Sequence, residues 1–421
     1  MFLAGAIAFG VSMFVNGIAK GEDSGQSLKL TEKEQSTWNL DLPLVIFDDS
    51  AGDWVVDRFA GNSSAGSRFY QGPALEVGGL QLPGGCVDTE DGTVYMTCGL
   101  QGSSDMKLLK VAADGVLRLV MEEIGSVEGP MEACRAGGPI WNPKERGLYL
   151  TGPNCLRRIV EKPDGSRWVE VVAGIPGKAG YNNGPAKKAT FQSQCRGVVC
   201  NASGIFFWLE DKGLRRIENG IVSSVPLKFV EAPSKFGFAM AGGLLSLGEN
   251  DDTLYIIDFY GNPDHHSKRI LKCDLKSGEL TRICGVNTMK EQMYRHRDKW
   301  RYGKESDGPA LTHVGGNSGI RGRYDPFYNA LWIWGPDHVR FRWLRLDGDG
   351  WVRTVFGAMK PGTKAQPFGI NELNTIGVPG EQFRFYLCHV VGIDSKGGIF
   401  ISEWADQSGF WRAYNKKKGS P

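Results

Sequence analysis

The sequence predicts an all-β protein, a six-bladed β-propeller, and three observations lead to this fold class. A Gly-Pro step returns at a near-constant interval, and a set of four short strands follows it. A strand that resembles the fourth strand of such a set also stands near the N-terminus, where no first three strands precede it. A fixed period of this kind indicates one structural unit copied along the chain.

The composition is that of a globular protein with many short strands. The chain has 421 residues, 41% of them hydrophobic, and its 58 glycines and 20 prolines show no collagen or low-complexity pattern. Its 49 Lys and Arg nearly balance 47 Asp and Glu, which gives a net charge of +2. Overall charge therefore does not favour binding to nucleic acid or to an anionic membrane.

The N-terminal residues favour export. Residues 2–19 are apolar apart from Ser12 and Asn16, and the small residues Gly17 and Ala19 suit a signal-peptidase site. No Lys or Arg precedes the apolar run, and its length also suits an uncleaved membrane anchor. We expect a secreted or periplasmic protein, in contact with a membrane only if residues 2–19 are retained. The predicted organisation is a signal peptide or anchor over 1–19, a polar linker and lead-in over 20–52, and the propeller over 53–421.

The nine cysteines leave two interpretations open. Cys86 with Cys98, and Cys273 with Cys284, flank turn signals and can face each other across neighbouring strands as disulfides, which export would permit. The alternative is that they are buried as small hydrophobic residues. The sequence contains no Cys-x-x-Cys motif, which disfavours zinc-ribbon and thioredoxin-like sites.

The repeat begins at the Gly-Pro steps, which are Gly72-Pro73, Gly129-Pro130, Gly184-Pro185 and Gly308-Pro309. The third shows the whole unit: strands over 196–199, 205–209, 213–217 and 221–225, joined by hairpin turns at 201–204 and 219–220. The same cycle is predicted over 85–120, 138–172, 243–283, 319–356 and 392–414. Six units result, although the fourth lacks its Gly-Pro and the sixth lacks a fourth strand.

The missing fourth strand is predicted at the N-terminus. Residues 53–61 (Asp-Trp-Val-Val-Asp-Arg-Phe-Ala-Gly) match 167–174 and 350–357, which close the second and fifth units. We therefore expect the N-terminal strand to complete the last blade, as propellers do to close the ring and protect their strand edges.

These motifs resemble the NHL repeat. The resemblance rests on Val172-Ala-Gly174 before the third Gly-Pro, on Leu148-Tyr149, and on Leu156-Arg-Arg-Ile159 and Leu214-Arg-Arg-Ile217. It covers residues 53–421 and implies a six-bladed propeller of the NHL and gluconolactonase-like superfamily. It does not imply one activity, because one fold hosts many functions.

Ligand sites of propellers usually gather at the mouth, where the inner strands begin. The mouth positions are predicted at Pro83-Gly84, Arg135-Ala136, Cys195-Arg196, Met240-Ala241, Asn317-Ser318 and His389-Val390. Arg135, Arg196, Asn317 and His389 are the candidate ligand-binding residues, because arginine suits carboxylate or phosphate groups. The alternative is that these arginines pair with acidic loop residues and bind nothing.

Two enzyme interpretations are weaker. The resemblance to gluconolactonases implies a cation held by carboxylates and an asparagine, but no mouth position carries a carboxylate. A resemblance to peptidyl-α-hydroxyglycine amidating lyases implies a histidine-bound zinc, but of the six histidines only His389 falls at the mouth and His313 near it. We predict no cofactor, with calcium and zinc left open. An enzyme with its site at the mouth stays the alternative to a binding module.

An insert precedes the fourth Gly-Pro. Its residues Tyr294, Arg295, Arg297, Trp300, Arg301 and Tyr302 interleave basic and aromatic side chains. Such residues are favoured in contacts with a protein or glycan, which we expect as the partner. Single-stranded nucleic acid binding uses a similar composition, but the near-neutral charge and the predicted export argue against it. A solvated loop with Trp300 packed under the ring is the alternative.

Overall fold

The computed structural model describes residues 46–61, 72–77, 80–100, 106–121, 139–152, 154–161, 163, 167–192, 197–210, 212–230, 245–260, 267–285, 307–312, 321–334, 341–357, 377–380, 383, 388–403 and 409–418. For some residues in its strands, including His389, only the backbone is described.

The described secondary structure is strands with three short 3-10 helices, Ala51–Asp53, Ala186–Lys188 and Ala310–Thr312. The strands in chain order are β1 (Trp54–Ala60), β2 (Gly72–Pro73), β3 (Leu80–Val87), β4 (Val94–Leu100), β5 (Met106–Val111), β6 (Val116–Met121), β7 (Pro139–Asn142), β8 (Gly147–Gly152), β9 (Cys155–Glu161), β10 (Arg167–Gly174), β11 (Gly184–Pro185), β12 (Gly197–Cys200), β13 (Phe206–Glu210), β14 (Gly213–Glu218), β15 (Ile221–Ser224), β16 (Lys228–Phe229), β17 (Leu245–Leu247), β18 (Thr253–Tyr260), β19 (Ser267–Asp274), β20 (Glu279–Gly285), β21 (Gly308–Pro309), β22 (Arg321–Asp325), β23 (Ala330–Trp334), β24 (Phe341–Arg345), β25 (Trp351–Phe356), β26 (Val378–Pro379), β27 (Cys388–Ile393), β28 (Ile399–Glu403) and β29 (Gly409–Asn415).

These strands form six separate sheets, which we number as blades in chain order. Blade 1 is β2–β6, blade 2 is β7–β10, blade 3 is β11–β15, blade 4 is β16–β20, blade 5 is β21–β25, and blade 6 is β26–β29 with β1. The four strands predicted for the third unit are confirmed as β12 to β15, to within a residue or two at each end. The fold class predicted from the repeat, an all-β propeller of six blades, is confirmed.

Six hydrophobic clusters lie between neighbouring blades and close them into a ring. Each cluster draws residues from two adjacent sheets: Leu108 with Leu150 for blades 1 and 2, Leu156 with Trp208 for 2 and 3, Phe207 with Leu254 for 3 and 4, Ile257 with Leu331 for 4 and 5, Trp332 with Trp411 for 5 and 6, and Phe400 with Met96 for 6 and 1. The core therefore lies in the six interfaces between blades, and each blade is stabilised by both of its neighbours.

The Gly-Pro steps add a short outer strand to their blades. Gly72-Pro73, Gly184-Pro185 and Gly308-Pro309 each pair antiparallel with the fourth strand of the same blade. Proline has no N–H to offer a further strand, so it suits an edge position. In blade 4, which lacks the motif, Lys228-Phe229 pairs parallel with β20 in the same place, and in blade 6 Val378-Pro379 pairs with β1.

The N-terminal strand β1 lies beside β29 in blade 6, with Trp54 opposite Asn415 and Ala60 opposite Phe410. The residues just before it contact blade 5: Phe47 bridges Thr354, and Asp48 accepts a hydrogen bond of 2.8 Å from the indole N–H of Trp343. The first and last described parts of the propeller chain therefore meet inside blade 6, on its side next to blade 5.

The disulfide interpretation is wrong for Cys86, Cys273 and Cys284, which are free and buried. Cys273 and Cys284 do lie on neighbouring strands, but they pair in register with Leu280 and Ile270 and pack into different clusters. The alternative, burial as small hydrophobic residues, is confirmed for these three. Burial raises the pKa of the Cys273 and Cys284 thiols to about 12, so both stay protonated and unreactive.

Candidate functional site

The two ends of the ring differ in their connections. All six innermost strands run in one direction because the blades repeat one strand order. We call the end where these strands begin the loop end, and the opposite end the turn end. The connection from the fourth strand of one blade to the innermost strand of the next falls at the loop end by chain order, and 175–192 is the longest described part of such a connection; the turn end has the short turns 88–93, 143–146, 201–205, 248–252, 326–329 and 394–398. Loops on a rigid scaffold usually carry the ligand site, which favours the loop end.

An Asp or Asn begins the turn at the turn end in five blades, and in blade 4, whose turn begins at Gly248, Asn250 lies inside the turn. These residues are Asp88, Asn142, Asn201, Asn250, Asp325 and Asp394, and the side-chain oxygen of each accepts a backbone N–H two to four residues further on, at 2.8 to 3.2 Å. Such Asx turns fix a tight reversal locally. This Asx signal was not among the sequence-based predictions, although it occurs in all six blades, whereas Gly-Pro marks four.

Charged groups at the turn end pair largely with each other. Arg146 contacts Glu90 and lies 3.1 Å from Asp88, so it joins blade 2 to blade 1. Other pairs are Arg158 with Glu145, Lys272 with Glu249, Lys276 with Asp252, and Arg412 with Asp394. These contacts hold the turns together and leave this end a scaffold surface.

Burial shifts several pKa values at the turn end. It raises the pKa of Asp325, although the carboxylate accepts hydrogen bonds from Trp332, Phe327 and Tyr328. Burial also raises the pKa of Asp88, with the nearby charge of Asp91 adding to the shift. Desolvation disfavours the charged form of a carboxyl group, and here it outweighs the hydrogen bonds.

Buried ion pairs support the base of the loop end. The Arg342 Nε donates to Asp307 Oδ1 at 2.8 Å, and Asp307 Oδ2 accepts from the Thr354 hydroxyl at 2.6 Å and from the backbone N–H of Ile46 at 2.7 Å. In blade 3 the buried Arg215 lies 3.2 Å from Glu210 and donates to the carbonyl of Asn182. Each arginine ties the segment around a Gly-Pro step to the third strand of its own blade.

Arg323 is the unusual residue of the innermost strands. It stands two residues before Asp325, where blades 1, 2 and 3 have Cys86, Ile140 and Val199 before their own Asx residues. Its Nη1 donates to the carbonyl of Val391 in blade 6 at 2.7 Å. Burial lowers the pKa of the guanidinium. A cation therefore occupies a position near the axis that is apolar or neutral in those three blades.

Most of the sequence-predicted site lies outside the described residues. This applies to Arg135, Arg196 and Asn317, and to the insert residues Tyr294, Arg295, Arg297, Trp300, Arg301 and Tyr302. His389 lies on β27 opposite Ser402, with its side chain not described. The expectation that mouth positions directly precede the innermost strands is wrong for two blades: Gly84 lies inside β3, and His389 and Val390 lie inside β27.

Arg323 is not among the residues predicted from the sequence, because those residues were expected to precede the innermost strands and Arg323 lies within one. A usable signal was present, because a charged residue interrupts a pattern of apolar or small residues two positions before the turn. In the described ranges, no group of three or more His, Cys, Asp or Glu side chains is arranged to hold a metal ion. The same part of the chain has no helix long and apolar enough to cross a membrane.

No family model matches this chain, and no curated protein matches it. Solved structures do resemble it. A gluconolactonase from Xanthomonas campestris is 12% identical with a TM-score of 0.43, over 88% of this chain and 94% of that one. A nutrient binding protein from Bacteroides ovatus is 12% identical with a TM-score of 0.31, over 89% and 99%. An oligogalacturonate lyase in complex with manganese is 12% identical with a TM-score of 0.38, over 86% and 91%.

These structures differ from one another in what their names say they do, and their identities and TM-scores are too low to carry an argument about ligand or chemistry. The fold assignment rests on the six sheets and the six clusters between them. The chain is a six-bladed β-propeller.

Proposed function

We propose that the protein is an exported NHL-type propeller that works as a binding module, with its site at the loop end. The observation that carries the proposal is the difference between the two ends of the ring. At the turn end, the Asx side chains hold their own turns and most charged groups form pairs. By chain order, the connections between blades fall at the other end.

Two kinds of contact are proposed there. Arg135, Arg196, Asn317 and His389 would bind a small anionic ligand or an anionic group of a larger partner, because arginine forms bidentate hydrogen bonds with such groups. The insert residues Tyr294 to Tyr302 would contact a protein or glycan, for which aromatic residues and arginine supply the strongest contacts. The contacts of Arg342 with Asp307 and of Arg215 with Asn182 fix the described segments at this end.

The test is recovery of partners from a periplasmic or secreted fraction with the immobilised chain. A variant in which a short Gly-Ser linker replaces residues 290–305 should recover at least tenfold less of the partner. The matched control is Arg345→Gln with Asp347→Asn, which removes an exposed pair at the turn end and should leave recovery unchanged. Equal recovery by the shortened and full-length chains would remove the insert from the site.

A further inference from the structure

Arg323 is a cation with most of its hydrogen-bonding capacity unused among the described residues. Its described hydrogen bonds go through Nη1 alone, to the carbonyl oxygens of Val391 at 2.7 Å and Val390 at 3.5 Å. No carboxylate of the described ranges pairs with it. The buried Arg342 and Arg215 each have an acidic partner within 3.2 Å, whereas the buried Arg157 has a described hydrogen bond only to the Cys155 sulfur.

The described groups around Arg323 do not neutralise this charge. The group with a described electrostatic effect on Arg323 is Cys86, and burial raises the pKa of that thiol well above its usual range, so it stays neutral. A partly buried cation with no counter-ion among the described residues is costly, and proteins retain one mainly where it has a role. At the equivalent positions in blades 2 and 3, Ile140 and Val199 pack in the clusters between blades.

The hydrogen bonds to Val391 and Val390 also orient the guanidinium. With Nη1 occupied, the side formed by Nε and Nη2 is left for a ligand, and two parallel N–H groups on that side match the two oxygens of a carboxylate. Arg323 is only partly exposed, which limits the size of the ligand group that reaches it.

We propose that Arg323 forms a binding site for a carboxylate group near the axis of the ring, between blades 5 and 6. The ligand is a small organic acid or the acidic end of a larger molecule that enters along the axis. The site deepens the small-anion part of the proposed function, which it assumes, and it adds a residue that the loop-end candidates do not include.

Thermal unfolding with increasing sodium acetate, at constant ionic strength against sodium chloride, tests the proposal. A ligand that binds the folded state alone raises the unfolding temperature with concentration. Wild-type protein should show this rise, and Arg323→Gln should bind acetate roughly ten- to a hundred-fold more weakly, since it loses a charged hydrogen-bonding group. Arg323→Lys keeps the charge without the two parallel donors, so its affinity for acetate should lie between those of wild type and Arg323→Gln. The control Arg353→Gln removes a partly exposed arginine of the same blade that pairs with Asp349, and it should behave as wild type.

Equal acetate-dependent stabilisation of wild type and Arg323→Gln would overturn the proposal, and so would the absence of any acetate effect beyond chloride in the wild type. If Arg323→Gln does not fold, Arg323→Lys carries the comparison, and acetate must also shift the Arg323 Nε resonance of nitrogen-labelled wild-type protein. The result is independent of the insert. Loss of acetate binding with normal partner recovery would bear on the Arg323 site alone. Normal acetate binding with loss of partner recovery would bear on the loop-end proposal alone.

Discussion

Asp325 shows how one side chain serves both the turn and the core. Its Oδ1 accepts the backbone N–H of Phe327 at 2.9 Å, and its Oδ2 accepts the indole N–H of the buried Trp332 at 2.9 Å. Trp332 belongs to the aromatic cluster between blades 5 and 6. The carboxyl group therefore connects the end of the innermost strand to the interface that closes the ring.

Asp325→Asn should lower the free energy of unfolding by about 1–3 kcal/mol, because the amide can turn only one oxygen to these donors. Burial raises the Asp325 pKa above its ordinary value of 3.8, so the carboxyl contributes most at acid pH and its contribution falls as pH rises through the raised value. The difference in the free energy of unfolding between wild type and Asp325→Asn should therefore shrink from pH 4 upward, by an amount set by the shift of the Asp325 pKa. Urea unfolding at several pH values measures it, and a pH-independent difference would contradict the account.

Asp307 should be among the most sensitive residues outside the apolar clusters. Asp307→Asn leaves the buried Arg342 without its carboxylate and should cost about 3–5 kcal/mol. The matched change in the same blade, Asp349→Asn, breaks the exposed pair with Arg353 and should cost less than about 1 kcal/mol. Urea unfolding of both variants checks the contrast, and similar costs would argue against the buried pair.

At the scale of the strand, the fourth strands show how far sequence matching reaches. The sequence aligned Trp54 with Trp168 and Trp351, but Trp54 stands seven residues before its closing glycine, Gly61, and the other two stand six before theirs. Successive side chains of a strand point to opposite faces, so an offset of one residue reverses the face. Trp54 is fully buried, whereas Trp168 is 42% exposed.

Trp54→Ala should therefore cost about 3–5 kcal/mol, because it empties a position surrounded by Trp332, Trp343 and Phe356. Trp168→Ala removes a ring at the surface of β10 and should cost less than about 1 kcal/mol. Chemical denaturation of the two variants measures both costs. Equal effects would mean that the two tryptophans face the same way.

Periodicity and turn chemistry were enough to predict the strands, since both are local properties of the chain. The third unit came out correctly because Asn201 to Gly204 and Asn219-Gly220 are strong hairpin signals between apolar runs. The edge pairing of Gly184-Pro185 with β15 was not predicted, because it joins residues far apart in the sequence. The cationic position of Arg323 was missed for a related reason, because the blade interface that a strand residue faces depends on how the six blades pack into the ring.

For the whole molecule, the pairing of β1 with β29 inside blade 6 holds together the two ends of the propeller chain. Strand β1 lies between β29 and β26, and its Trp54 packs on blade 5. Without β1, strand β29 would present an unpaired edge, which favours association with other chains.

A chain that begins at residue 62 should therefore lose its single cooperative unfolding transition and associate, while a chain that begins at residue 45 should unfold as the full-length protein does. Urea unfolding and size-exclusion chromatography compare the two. A chain from residue 62 that stays monomeric with an unchanged midpoint would show that β1 is dispensable.

The function proposed for the molecule depends on which end of the ring binds. The most direct measurement is the affinity for a recovered partner or ligand of two variants that change opposite ends. One variant replaces Arg135, Arg196, Asn317 and His389 with alanine. The other makes the same kind of change at the turn end, at Glu90, Asp91 and Lys276. We predict at least a tenfold loss for the first and no change for the second. Full affinity in the first, or a loss confined to the second, would contradict binding at the loop end.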